Sequence, residues 1–391
     1  MPRHPTSAAG AAVSPRDPRP IEGVATSVAA FVGLADRGPV AEAVVVNSRR
    51  EFERGFGGLT TEASLSFAVR DFFANGGGTA VVVRVESTGV DGVLAGLDAL
   101  ESVELVNLLV IRPDGAAPDS PVDPAAVRAA VAAAAEFCER RRAMLIVDPP
   151  SEWTTVDAVV DAASGDGFAA SLGTASANAA LYFPRVRQPH PLHGGLGTFA
   201  ASGAIAGVIA RADATGGVWS APAGLDAALT DVSGFDVALA ERDLSRLNVL
   251  GVNVLREVAS AGPVVWGART LQGADTASSE WKYVPVRRTA LSLEESIERG
   301  LQWAASEPND EMLWASVRAS VDTFMLGLFR AGAFRGNTPR EAFFVQCHRG
   351  RTMTQADVDG GRLTVAVGFA PLKPAEFIVL QIHARARPAV A

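Results

Sequence analysis

Phe377-Ile378-Val379-Leu380-Gln381-Ile382-His383 is the stretch on which the reading of this chain turns. Side chains alternate across a strand, so Ile378, Leu380 and Ile382 share one face, while Phe377, Val379, Gln381 and His383 share the other. The first set is wholly aliphatic and suits a core. Arg385, Arg387 and Pro388 then end the strand. A strand so placed can pair within its own chain or with a strand of another chain.

Working back, Leu363 to Phe369 and Ala342 to His348 read as two further strands. Before them Leu313, Val317, Val321, Phe324 and Leu328 form a helical stripe, capped by Asn309 or Asp310 and ended by Gly332. Ser292 with Glu295 forms a capping box that predicts a helix start. Leu293, Ile297, Leu301 and Ala304 would be its buried face, stopping before Pro308. Two helices followed by three strands make an α+β domain over 269–374, with 375–391 as a terminal arm.

The middle, 88–268, alternates strand and helix. Leu105 to Ile111, Met144 to Val147 and Ala179 to Phe183 are apolar strands. Pro124 to Arg142 is an alanine-rich helix whose basic end, Arg140-Arg141-Arg142, complements the helix dipole. Gly203 to Ala210 reads as a small-residue helix. This α/β alternation predicts a mainly parallel sheet with helices on both faces.

In 21–87, Val24 to Leu34 and Ala43 to Asn47 read as strands. Ser48 and Glu51 box a helix starting at Arg49. Leu65, Val69, Phe72 and Phe73 stripe a second helix, and Thr79 to Val85 is a buried strand. Gly76-Gly77-Gly78 follows a helix and precedes a strand. That is the reverse of a phosphate loop and is how helices end. Residues 1–20, with Pro2, Pro5, Pro15, Pro18 and Pro20, read as a flexible arm.

The chain has 391 residues, 48% hydrophobic and 20% charged, which fits two or three globular domains. Its net charge of −8 argues against general nucleic-acid binding. Cys138 and Cys347 have no metal-ligand spacing and read as buried thiols of a reducing compartment. No apolar run nears the roughly 20 residues needed to span a bilayer. Arg3 and His4 are not followed by the apolar core of a signal peptide. A cytoplasmic protein without direct membrane insertion is expected.

The best catalytic constellation is Asp148, His190 or His193, and Ser202, in the Asp–His–Ser order of subtilisin-type hydrolases. Asp148 ends an apolar strand. Yet no Gly-x-Ser-x-Gly elbow surrounds Ser202, and both histidines sit in a Pro- and Gly-rich loop. His190 and His193 also lack the helical spacing and third ligand of a metal site. Asp226, Asp231, Asp236, Glu241 and Asp243 lack calcium-loop spacing and read as a solvated face. Arg335, Arg340, Arg349, Arg351 and Arg362 are either scattered surface charge or a face toward a negative partner.

An ordered series of blocks resembles the contractile tail sheath family. It includes Ile21-Glu22-Gly23-Val24-Ala25-Thr26-Ser27, Ala177-Asn178-Ala179-Ala180-Leu181-Tyr182-Phe183-Pro184, Gly217-Val218-Trp219-Ser220-Ala221-Pro222-Ala223 and Trp281-Lys282-Tyr283-Val284. Glu307-Pro308-Asn309-Asp310, Gly336-Asn337-Thr338-Pro339 and Pro371-Leu372-Lys373-Pro374-Ala375-Glu376-Phe377 continue it. Where family members carry Pro-Gly-Val-Tyr near the start, this chain has Ala11-Ala12-Val13-Ser14.

The resemblance implies a central α/β domain of subtilisin-like topology without protease activity, a two-helix, three-strand sheath domain, and terminal arms that exchange strands between subunits. It implies stacked six-fold rings of this chain around an inner tube protein, joined to baseplate and terminator or cap proteins, in a virion tail or released particle. The linking strand would be Phe377 to His383. Ala11, Ala12, Val13, Ile21 and Glu22 would supply N-terminal arm contacts, and Arg349, Arg351 and Arg362 are candidate partner-facing cations. No cofactor, metal or catalytic residue is expected. A serine hydrolase using Asp148, His190 or His193, and Ser202 is the alternative.

Overall fold

The apolar runs Ala29–Gly33, Leu108–Ile111, Met144–Val147 and Ala179–Phe183 are buried at every position. Strands covered on both faces read this way in parallel sheets, where crossover helices pack on each side. The computed structural model describes residues 18–388 except 62, 114–122, 165–166 and 374–376. Ala11, Ala12 and Val13 thus lie outside the described residues.

The chain forms two units, Ala25–Ser292 and a smaller one of residues 18–24 with 293–388 among those described. The larger unit's strands are β1 (Ala29–Gly33), β2 (Ala43–Val46), β3 (Ala80–Arg84), β4 (Leu108–Ile111), β5 (Met144–Val147), β6 (Ala179–Phe183), β7 (Val186–Pro189), β8 (Leu196–Phe199), β9 (Gly234–Phe235), β10 (Asn253–Val258) and β11 (Gly262–Trp266). Eight of them form one sheet in the order β11-β10-β6-β5-β4-β1-β3-β2. Its interior pairs are parallel, and only β2–β3 and β10–β11 at the two edges are antiparallel. Residues of 21–87 and of 88–268 therefore share one sheet. The β7–β8 hairpin and β9 make a small antiparallel sheet; the Pro- and Gly-rich loop of His190 and His193 is the hairpin's tip, with Gln188 and Pro189 belonging to β7.

Helices cover both faces. α1 (Arg49–Phe56), α2 (Ser64–Ala74), α3 (Val90–Leu100), α4 (Pro124–Arg140), α5 (Val156–Ala163), α6 (Gly167–Leu172), α7 (Ser202–Gly216) and α8 (Glu241–Val249) follow in chain order. Phe52, Phe56, Leu65, Val69, Phe72, Ile205 and Ile209 pack one face, from α1, α2 and α7. Val93, Leu97, Ala134, Phe137, Val159, Leu172 and Leu247 pack the other, from α3 to α6 and α8. α7 lies close on α2 because its glycines permit it. A Cβ on Gly203 would stand 2.2 Å from the Ala68 carbonyl oxygen. Ser48 caps α1 through its hydroxyl, while Glu51 reaches one residue further back and accepts from the Asn47 amide at 2.7 Å.

The Ser292/Glu295 box does not start a helix. α9 runs unbroken over Val284–Gly300, and Ser292 donates its hydroxyl to the Thr289 carbonyl inside it. Within α9, Arg288 meets Asp213 of α7 through two bonds of 2.8 and 2.7 Å, and both side chains are almost wholly buried. Arg288 also donates to the Thr26 carbonyl at 2.7 Å, and the Thr26 hydroxyl donates to Asp213 at 2.6 Å.

In the smaller unit, α10 (Glu311–Arg330) precedes β12 (Phe343–Gln346), β13 (Arg362–Phe369) and β14 (Ile378–Arg385). These strands form a separate antiparallel sheet in that order. The buried stripe of α10 is Leu313, Val317, Val321 and Met325. Phe324 and Leu328 are only partly covered.

Removing the Arg288 head would strand the Asp213 carboxylate in the interior. Arg288→Ala is expected to cost about 3–5 kcal/mol of unfolding free energy in chemical denaturation of the unpolymerised subunit. A loss below about 1 kcal/mol would refute the clamp.

Candidate functional site

The structure brings Asp148 and Ser202 together, but not as parts of a triad. Ser202 is the first residue of α7, and Asp148 follows β5. Asp148 Oδ1 accepts the Ser202 amide at 3.0 Å and Oδ2 accepts its hydroxyl at 2.5 Å. Arg112 stands 3.3 Å from the same carboxylate. This is helix capping from a neighbouring strand, since first-turn amides lack intrahelical partners and the helix dipole favours an anion there. In an Asp–His–Ser triad a histidine stands between the serine and the carboxylate. Here the carboxylate holds the serine directly, and Ser202 is 1% exposed.

His190 and His193 lie at the tip of the β7–β8 hairpin, where their rings stack with centroids 4.5 Å apart. Neither bonds Asp148 or Ser202. No cluster of three metal-capable side chains occurs among the described residues. In the acidic stretch, Asp243 accepts from the Ala240 amide and so caps α8, and burial raises the pKa of Asp236.

The smaller unit presents a different kind of site, made of backbone. β14 pairs with β13 through eight registered positions, from Arg362 opposite Arg385 to Phe369 opposite Ile378. Ile378, Leu380 and Ile382 are buried, while Phe377 and Val379 are 45% and 52% exposed, as the alternation predicts. β14 is the last strand of its sheet. Beyond it the Ala386 amide donates to the Gly361 carbonyl at 2.9 Å. Gly361 must be glycine, because its φ is +68° and a Cβ would stand 2.4 Å from the Ala386 oxygen.

The two ends of the described chain meet at Glu307. The Arg387 amide donates to the Glu307 carbonyl at 2.8 Å. Arg19 approaches the Glu307 carboxylate at 3.9 Å and lies over the Trp303 ring at 4.8 Å. Ile21 is buried against Gly300, where a Cβ would come within 2.7 Å of it, and Glu22 is exposed. The block Glu307-Pro308-Asn309-Asp310 therefore does several jobs. Asp310 caps α10 by accepting the Leu313 amide at 2.9 Å. Buried Asn309 accepts from Trp314 Nε1 at 2.8 Å and donates to the Val358 and Arg362 carbonyls. Sequence reasoning left the cap open between the two residues; the Trp314 indole five residues on was the signal that could have separated them.

Arg349, Arg351 and Arg362 are all exposed. Arg349 donates to Gln355 at 2.7 Å. Arg362 bonds Asp357, whose pKa is held down at about 2, first by Thr354 and then by Arg362.

The family model described as the phage tail sheath protein central domain matches residues 88–271, and that of the phage tail sheath C-terminal domain matches 276–385. The chain belongs to the contractile tail sheath family. Solved sheath structures agree along the whole length. The chain is similar to a subunit of the anti-feeding prophage baseplate, 6-fold symmetrised, at 29% identity and TM-score 0.73, covering 97% of this chain and 98% of that one. It is similar to the sheath of PVC, an extracellular contractile injection system in its contracted state, at 28% identity and TM-score 0.74, covering 97% and 98%. The sheath tail protein Lin1278 from Listeria innocua shares the fold at 12% identity and TM-score 0.65, over 94% and 96%. No curated protein matches the chain. It is thus a contractile sheath protein of a phage tail or contractile injection system.

A serine-directed fluorophosphonate should leave Ser202 of the folded sheath protein unlabelled, read by mass spectrometry of the Ser202 peptide. Stoichiometric labelling would show a reactive serine that this geometry forbids.

Proposed function

We propose that this sheath protein polymerises as stacked six-fold rings around an inner tube and shortens to drive that tube through a target envelope. Successive copies are linked by exchange of β14. The single observation that carries this reading is the β13–β14 ladder. All eight of its pairs are made by a strand at the edge of its sheet, the last strand among the described residues. Each pair made within one chain can be made identically with β13 of another copy, so exchange sacrifices no interface. Backbone pairing also tolerates a change of angle between subunits better than a packed side-chain surface.

The contacts of Arg19 and Arg387 with Glu307 support a second role for that corner in linking copies, alongside the proposed arm contacts of Ile21 and Glu22. Contraction then needs no nucleotide. An extended lattice that lies a few kcal/mol per subunit above the contracted one shifts almost completely once released. The inner tube, baseplate and terminator proteins are the partners, with assembly in the cytoplasm. The geometry gives the hydrolase alternative no support, because Asp148 caps α7 in place of orienting a histidine.

Deleting Phe377 onward is a blunt test, because it also removes the buried Ile378, Leu380 and Ile382 side chains, at about 1.5–3 kcal/mol each. A cleaner test locks β14 at home. Ala366 and Gln381 face each other across β13 and β14, and the double variant Ala366→Cys/Gln381→Cys joins them when oxidised. Oxidised protein should form no sheaths in negative-stain microscopy with the tube protein, and reduction should restore them. Normal sheaths from fully oxidised subunits would exclude exchange of β14.

A further inference from the structure

One side chain ties down the turn at the tip of the β7–β8 hairpin. His190 Nδ1 accepts the amides of Leu192 and of His193, each at 3.2 Å. Around it, the His190 amide donates to the Gly195 carbonyl at 2.8 Å and the Gly194 amide to the His190 carbonyl at 3.1 Å. Gly194 and Gly195 take φ of +69° and +70°, which turns the chain back. The His190 ring lies against Phe199, with centroids 5.4 Å apart, and Gly197 makes room for it: a Cβ there would fall 2.7 Å from His190 Cδ2.

Only the neutral ring can do this. An imidazole that accepts at Nδ1 carries its proton on Nε2. An imidazolium is a donor at both nitrogens and would face two amide N–H groups with a third. We propose that His190 is a proton-operated latch on the β7–β8 tip, closed when the ring is neutral and released when it is protonated.

The charged surroundings favour release on protonation. Arg70 of α2 stacks on Phe67 and Phe199 beneath the ring, and His193 and Arg187 lie on the hairpin itself. The carboxylate of α2, Asp71, is buried, bonded to Arg70 and Gln188, and coupled to Asp231. Among the described residues no carboxylate bonds His190. Burial first, then His193 and Arg70, press the His190 pKa below its ordinary 6.5. The open tip therefore binds the proton more tightly than the closed one. Closure is fully present above the ordinary histidine value and is lost as pH falls through the lowered one. Release would loosen the turn that carries Leu192, 40% exposed, while Leu196 stays paired at the start of β8.

The test is millisecond hydrogen exchange of the full-length subunit, read by mass spectrometry on a peptide covering 188–197 and corrected for intrinsic rates. Between about pH 7.5 and about pH 5 the wild-type tip should lose about fivefold in protection, the size of one net hydrogen bond. His190→Asn keeps a non-titrating acceptor at the same place and should show no such change. Unchanged wild-type protection, or an equal acid loss in His190→Asn, overturns the latch. Imidazole ¹⁵N NMR gives an independent reading: His190 must be the Nε2–H tautomer near neutral pH, and an Nδ1–H tautomer refutes the proposal without any variant.

Discussion

Arg288 and Asp213 close the larger unit on itself. Thr26 stands near its first residue and Arg288 near its last, and the bond between them spans 262 positions of sequence. Closing so long a loop costs conformational entropy, which the burial of the intervening sheet must offset. A buried ion pair adds little net stability over an apolar replacement, yet leaving one member alone is expensive. Its effect here is selective: only a chain whose β1 segment, α7 and α9 have all arrived satisfies the four groups involved. The double-sided core and the order of the strands are consistent with that closure.

β14 follows another logic. Its three buried aliphatic residues anchor it to the sheet, and on its outer face Phe377 stacks on Phe344 of β12 while His383 meets Thr364 of β13. Specificity comes from register, because a slip by one residue would put Phe377, Val379, Gln381 and His383 into the core. Under the proposed exchange, the same strict alternation would fix the same register on β13 of another copy. Asn309 donates to the Arg362 carbonyl where β13 begins, and the Gly361 carbonyl accepts the Ala386 amide just past β14, so that end of the ladder is fixed from outside it.

Much of this was legible because burial writes itself into periodicity. β5 and β6 were readable to the residue from Met144-Leu145-Ile146-Val147 and Ala179-Ala180-Leu181-Tyr182-Phe183, which tertiary packing had no reason to shift. The sheath blocks were legible by their order. What failed depended on three-dimensional context. The Ser292/Glu295 spacing is a cap only if the backbone ahead of it is not already helical, and Tyr283 to Leu291 is sequence that can continue a helix. The β7–β8 hairpin was hidden because its turn residues dominated two short strands, although Val186 and Gln188 alternate with exposed Arg187. Asp148 and Ser202 do meet, but chain order cannot tell a capping carboxylate from a catalytic one.

Arg19 and Arg387 both reach Glu307, one through the carboxylate and the other through the carbonyl, so a single residue of the smaller unit serves both outer stretches of the described chain, and a backbone shift there disturbs the two together.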